Sequence, residues 1–221
     1  CLFVLLIDCS QKITIMKNVL KFGLWAGALL LFASSFTACK KDKDSDPAQT
    51  LSQEEIASLQ FMYEEEKLAR DVYLYLFDAY DHMVFDHISG SEQTHMDAIQ
   101  TLMDKYEVEN DATDVRGEFV DTELQALYVQ LTAQGDQSLI AALTVGATIE
   151  DLDIYDLQQA ISIFNNEDII NVYESLACGS RNHIRAFSKH LDLEGGSYIA
   201  QFISQEEYQT ILSGNHESCG L

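Results

Sequence analysis

Five titratable side chains stand where helical apolar stripes should continue: Glu66, Glu92, His95, Glu150 and His183. Each has core-type residues one turn away on the same helical face, so a helix that buries its stripe buries these groups too. A carboxylate carried into an apolar interior is costly unless something positive faces it. Few folds can accommodate four such helices, and a bundle that closes around a metal ion is one of them.

The periodicity predicts where the helices run. Ser52-x-x-Glu55 is a capping box, and Leu59, Met62, Ala69, Tyr73, Leu76 and Tyr80 follow at helical spacing, giving a first helix over about 53–80. A second, over about 87–106, carries Ile88, Met96, Ile99, Leu102 and Tyr106 on one side. Residues 107–136 are too long for a tight turn, and Leu124, Leu127, Tyr128 and Leu131 mark a shorter helix within them, so this segment reads as a crossover. A third long helix is expected over about 138–163. A fourth starts after the capping residue Asn165 or Asn166, with Glu167 and Asp168 in its first turn, and runs to about 191. Gly195-Gly196 then breaks the chain, and Ser204-x-x-Glu207 caps a short last helix. The expected fold class is therefore all-α: a four-helix bundle with two short links, a long crossover between its second and third long helices and a short C-terminal helix. This is the ferritin-like connectivity rather than simple up-and-down topology.

Each candidate ligand is judged by its helical face. Glu66 lies on the series Leu59, Met62, Glu66, Ala69, Tyr73, whereas Glu65 falls on the adjacent series of Phe61, Leu68 and Val72 and Glu64 reads as surface. Glu92 and His95 stand one turn apart on Ile88, Glu92, His95, Ile99, a spacing that lets a carboxylate and an imidazole reach one metal. Ser89-x-x-Glu92 also fits a capping box, in which case Glu92 only closes a helix start. Glu150 lies on Leu143, Ala147, Glu150, Ile154, with Asp153 beside it; turning that helix by one position would put both in solvent. His183 follows Tyr173, Leu176 and Ser180 and precedes Phe187. A lone histidine there is usually a core residue, but three other helices present acid or imidazole to the same interior. Tyr63, Tyr73 and Tyr173 could relay electrons, although core aromatics with a polar tip are the commoner case.

Four segments carry a more specific resemblance: EEEKLARDVY (64–73), SEQTH (91–95), GATIEDLDIYDL (146–157) and SRNHIRAF (180–187). Together they resemble ferritin-like and rubrerythrin-like proteins and, more narrowly, the family catalogued as domain of unknown function 2202, over most of residues 52–212. The resemblance implies a carboxylate bundle in which Glu66, Glu92 with His95, Glu150 and His183 hold iron, as a di-iron or a mononuclear centre, or manganese. It departs from the rubrerythrin pattern at Ser180, where a second Glu-x-x-His would need Glu.

Outside this domain, residues 1–15 read as sequence upstream of a start at Met16. Lys17, Lys21, the apolar run 22–32 and the ending Phe36-Thr37-Ala38-Cys39 describe a signal peptide over 16–38, too short for a membrane span. That ending resembles a bacterial lipobox, which implies lipid on Cys39 and a place in the bacterial cell envelope, on the periplasmic or outer-membrane face. An uncleaved anchor is the alternative. Residues 39–51 read as a flexible tether, 52–213 as the domain and 214–221 as a tail. The full chain carries a formal charge of -23; Lys12, Lys17, Lys21 and Asp8 put +2 of this balance before Cys39, so the remainder carries -25. Such a chain repels nucleic acid. Beyond Cys39 only Cys178 and Cys219 remain, which form either a disulfide or two free thiols; without a CxxC motif, a rubredoxin-type site, a zinc ribbon and a thioredoxin motif are unsupported.

These features point to an envelope-anchored metal-binding protein for oxygen or peroxide chemistry, of peroxidase or ferroxidase type. It would draw electrons from an external donor, and a homodimer is open to it. The alternative is a non-catalytic helical binding or scaffold lipoprotein whose metal site has decayed, which Ser180 favours.

Overall fold

The computed structural model describes residues 50–220, so the leader, the lipidation residue Cys39 and most of the tether lie outside the described residues. Among those described there are helices and no strands: α1 (Gln53–Tyr80), α2 (Met83–Lys105), α3 (Thr122–Gly135), α4 (Leu139–Ile163), α5 (Glu167–Leu193) and α6 (Gln205–Ser213). None is long and apolar enough to cross a membrane.

Local chemistry sets the helix ends. Ser52 and Glu55 form the reciprocal capping box, and Ser138, Asn166 and Ser204 cap α4, α5 and α6 through their side chains. The second helix starts earlier than the periodicity predicts. His82 caps it by accepting from the Val84 amide, and Asp81, with φ of 50°, supplies the tight reversal from α1. Ser89 therefore lies inside α2, where its hydroxyl donates to the Asp86 carbonyl, and Glu92 is not part of a capping box.

The long helices α1, α2, α4 and α5 pack around a core divided in two. One apolar cluster includes Leu68, Tyr73, Phe85, Leu143, Ile184 and Phe187, and the other Leu59, Met62, Ile99, Leu157, Ile169 and Leu176. Along α1 and α5 the chain passes from the second cluster to the first, whereas along α2 and α4 it passes from the first to the second. The long helices α2 and α4, joined by the crossover that contains α3, thus run the same way, and the crossover is long because it must return the length of the bundle. On α1, α2 and α5 the acids and histidines of the sequence pattern stand between the two clusters, and on α4 Glu150 lies between Ile149 and Ile154, at the end of the first.

Buried charges pin the crossover to α1. Lys67, 1% exposed, donates to Asp71 (2.7 Å) and to the carbonyls of Val115 (2.9 Å) and Glu118 (3.0 Å), with its ammonium 4.4 Å from the Phe119 ring centre. Glu64 is not the surface residue its position suggests: it is buried and accepts from the Val120 and Asp121 amides. On the other hairpin, buried Asp151 accepts from the Tyr198 hydroxyl and the amides of Gln201, Phe202 and Ile203, holding the segment before α6. Cys178 and Cys219 form a disulfide, and Glu217 pairs with Arg181 and Arg185, so the chain end lies along α5.

Candidate metal centre

The layer between the two apolar clusters holds all five residues predicted from the sequence, every one of them buried: Glu66 from α1, Glu92 and His95 from α2, Glu150 from α4 and His183 from α5. Glu92 is its hub. His95 Nδ1 lies 2.8 Å from one Glu92 oxygen and His183 Nδ1 lies 3.0 Å from the other. Neither approach is a hydrogen bond, because both Glu92 oxygens lack a hydrogen-bond partner. The aligned contacts run outward instead, from His95 Nδ1 to Glu66 Oε2 (3.0 Å) and from His183 Nδ1 to Glu150 Oε2 (3.3 Å). Each imidazole nitrogen thus faces two carboxylates while its single proton serves one.

The remaining atoms of the two rings are fixed by small neighbours. His183 Nε2 meets the Ser91 hydroxyl at 2.9 Å. The His95 ring lies against Gly179 of α5, where a Cβ would come within 2.5 Å of Nε2. The rings stack with centres 5.5 Å apart. Tyr73, wholly buried, donates to Glu150 Oε1 at 2.5 Å. Ser180 contributes nothing to the layer, since its hydroxyl turns back to the Leu176 carbonyl of its own helix.

The charge balance explains the titration behaviour. Burial would lower the His183 imidazole, but Glu92 and Glu150 overcome it and push it up to about 10. His95 is likewise raised well above its ordinary value by Glu66 and Glu92, against burial. Burial would raise Glu92; the two imidazoles reverse this and hold it below the usual carboxylate range. Glu150 is raised to about 7 by burial and by Glu92, and burial raises Glu66 despite His95. Asp153, ranked low on sequence, is buried as well, and burial and Glu66 raise it strongly. Five buried acids (Glu65, Glu66, Glu92, Glu150 and Asp153) therefore share a layer with two imidazoles. Elsewhere Glu64, Asp71 and Asp151 are equally buried, yet each has its own lysine, arginine, hydroxyl or amide donors. The layer differs in carrying carboxylate oxygens that nothing in the protein satisfies.

A carboxylate oxygen of Glu92 and one ring nitrogen each of His95 and His183 all lie within 4.8 Å of one another. Ligands bonded at about 2.1 Å sit roughly 3 Å apart along an edge of a coordination shell, close to the separations between Glu92 and each imidazole. The donor set of imidazole and carboxylate suits a first-row divalent metal. Sequence reasoning did not single out Ser91 or Gly179. A glycine inside a helix is a packing signal that could have pointed to the second of these.

Fold and layer together define the class: an all-α helical bundle with a buried carboxylate and histidine cluster. The chain belongs to the family described as Uncharacterized protein domain (DUF2202), whose model matches residues 55–215. It is 49% identical over 172 residues to Uncharacterized protein MJ0754 of Methanocaldococcus jannaschii, covering 77% of this chain and 93% of that protein. The crystal structure of hypothetical protein MJ0754 from Methanococcus jannaschii DSM 2661 is similar with a TM-score of 0.76 at 48% identity, covering 79% of this chain and all of that one.

Proposed function

We propose that this chain is a ferritin-like metal-binding protein that holds iron, or manganese, at Glu92, His95 and His183, with Glu66 and Glu150 as flanking carboxylates. Its chemistry would be with oxygen or peroxide, carried out at the bacterial cell envelope through lipid on Cys39. The observation that carries this reading is the Glu92 carboxylate: wholly buried, approached at 2.8 and 3.0 Å by two imidazole nitrogens, and hydrogen-bonded by neither. An ion in that position would supply one-electron and Lewis-acid chemistry.

The chain's own residues have definable parts in this reading. In the metal-free chain Glu66 and Glu150 each hold one imidazole through Nδ1, the nitrogen that would turn to the metal, so with an ion bound these two carboxylates would face the ion instead. Ser91 fixes the outer nitrogen of His183, the second-shell contact that orients a ligating imidazole. Glu150, raised to about 7, can take up or release a proton close to neutral pH, while Tyr73, raised well above its ordinary value by burial and by Glu150, stays protonated and donates to it at 2.5 Å. With no CxxC motif in the sequence, electrons would come from an external donor.

The second reading, a helical scaffold with a decayed site, is favoured by Ser180, whose hydroxyl is committed to its own helix. Elemental analysis of protein purified without chelators and loaded with Fe(II) or Mn(II) separates the two. The metal reading requires stoichiometric metal in the native chain and its loss in the Glu92→Ala, His95→Ala double variant. No bound metal in either protein would leave the scaffold reading standing. Peroxide consumption by iron-loaded protein tests the chemistry, and equal rates for native and double variant would show that the cluster takes no part in it.

A further inference from the structure

The Cys178–Cys219 disulfide reaches from the surface to the edge of the buried layer. Cys219 is half-buried in the tail, whereas Cys178, on α5, is only 8% exposed. The residue after it, Gly179, is the one packed against His95, where a Cβ would come within 2.5 Å of Nε2 and 2.7 Å of Cε1. Consecutive Cα atoms stand about 3.8 Å apart, which puts the backbone of Cys178 within about 8 Å of the His95 ring. One sulfur is thus open to a thiol from outside. The other is one peptide unit from a residue that touches a proposed metal ligand.

The tail does not depend on the S–S bond for its place. Glu217, two residues before Cys219, accepts from Arg181 Nε (3.0 Å) and Nη2 (2.5 Å) and from Arg185 Nη2 (2.6 Å). The Asn182 side chain grips the backbone of the same residue, donating to the Glu217 carbonyl (3.0 Å) and accepting from its amide (2.9 Å). Asn182 Nδ2 also lies 3.4 Å from Cys219 Sγ, a donor in place for a thiolate. With the S–S bond open, these contacts keep the two sulfurs neighbours, so the bond can close again without a search.

We infer, on the metal-binding reading of the layer, that Cys178 and Cys219 are a redox pair that passes electrons from an external dithiol to that layer. A donor thiolate attacks Cys219 Sγ, the S–S bond breaks, and Cys178 leaves as a thiolate that takes up the proton the donor gave up. The donor's second thiol then displaces Cys219, which is protonated in turn, and the donor departs as a disulfide. When the Cys178–Cys219 bond forms again it releases two electrons and two protons. That is what one hydrogen peroxide needs to break its O–O bond and become two waters. The closed bond spans a sequence separation of 41 residues and constrains the chain, so the fold favours re-oxidation and the reduced pair is a ready donor.

The test follows the S–S bond itself. The full chain is reduced with dithiothreitol, loaded with Fe(II) without air, desalted and exposed to excess hydrogen peroxide. Samples are quenched with N-ethylmaleimide, and mass spectrometry of the peptides that contain Cys178 and Cys219 reads the bond forming again. The comparisons are the native chain with its metal chelated and the Glu92→Ala, His95→Ala double variant taken through the same loading; the first does not depend on how the variant folds. The bond should form at least about tenfold faster in the loaded native chain than in either, because donor and acceptor are held in one molecule. Elemental analysis of the same samples tells two failures apart. Equal rates with metal bound would overturn the redox pair and leave the metal site standing, and a native chain without metal would overturn both. Sulfinic or sulfonic acid in place of the bond would mean indiscriminate oxidation and would also overturn the pair. So would a reduced chain that has lost its helices by circular dichroism, since an electron carrier has to survive its own reduction.

Discussion

Gly179→Ala tests whether the placement of His95 matters for metal binding. A Cβ at this position would lie 2.5 Å from His95 Nε2 and 2.7 Å from Cε1, with His183 Cε1 at 3.8 Å. Ordinary contact requires about 3.5 Å, so the ring must retreat by roughly 1 Å. It has little freedom to do so, because its Nδ1 lies 3.0 Å from Glu66 and 2.8 Å from Glu92. Metal–ligand distances tolerate only about 0.2 Å. The variant should therefore bind Fe(II) or Mn(II) about 10- to 100-fold more weakly, the range seen when the shell around a ligand is disturbed. Its metal-free stability should fall by no more than about 2 kcal/mol, since alanine gains up to about 1 kcal/mol of helix propensity against about 1–3 kcal/mol of overpacking. Gly90→Ala is the control: nothing lies within 4 Å of its Cβ position, so it should stabilise α2 by up to about 1 kcal/mol and leave metal affinity unchanged. Competition titration with a chromophoric chelator measures the affinities, and urea unfolding of the chelated proteins measures the stabilities. Native affinity in Gly179→Ala, within twofold, would refute the role given to His95.

The metal-free protein should lose stability as pH rises. The raised His183 contributes stability that is fully present below its ordinary value of 6.5 and lost as pH rises to about 10. Glu150 acts in the same direction between 4.5 and about 7, while Glu92, held low, contributes stability that is lost only on acidification below 4.5. Thermal unfolding of chelated protein across this range checks the sign, and a midpoint that climbs steadily from pH 7 to 10 would contradict it. Metal should reverse the trend, since binding releases the imidazole protons. Cys219→Ser opens a loop whose ends are 41 residues apart, and chain entropy puts the cost at about 4 kcal/mol; urea unfolding with and without reductant should show a matching loss in the native chain and none in the variant. Asp151→Ala would leave the Tyr198 hydroxyl and the amides of Gln201, Phe202 and Ile203 unpaired, at a cost of about 3–5 kcal/mol, and should expose residues 195–204 to limited proteolysis.

Much of this architecture was legible because helical spacing reports a face directly. The first helix, the crossover helix and the caps at Asn166 and Ser204 stand where periodicity and capping residues put them. The start of α2 did not, because histidine is an uncommon cap and the tight reversal at Asp81 leaves no glycine signal. Glu66, Glu92, His95, Glu150 and His183 were readable as interruptions of apolar stripes. Asp153 and Glu65 lie just off those stripes, and Glu64 further round. The burial of Glu64 comes with the crossover folding over α1, a tertiary event that spacing along one helix does not encode. For the same reason nothing in the spacing marks Lys67, which is held by carbonyls 48 and 51 residues away.

The central claim, that Glu92, His95 and His183 hold a transition metal, is tested most directly by anomalous scattering from crystals grown with Mn2+ or Fe2+. The expected result is an anomalous peak about 2.0–2.3 Å from the Nδ1 atoms of both histidines and from a Glu92 oxygen. Fully ordered side chains with no anomalous density in the layer, under conditions where the metal is present in excess, would contradict it.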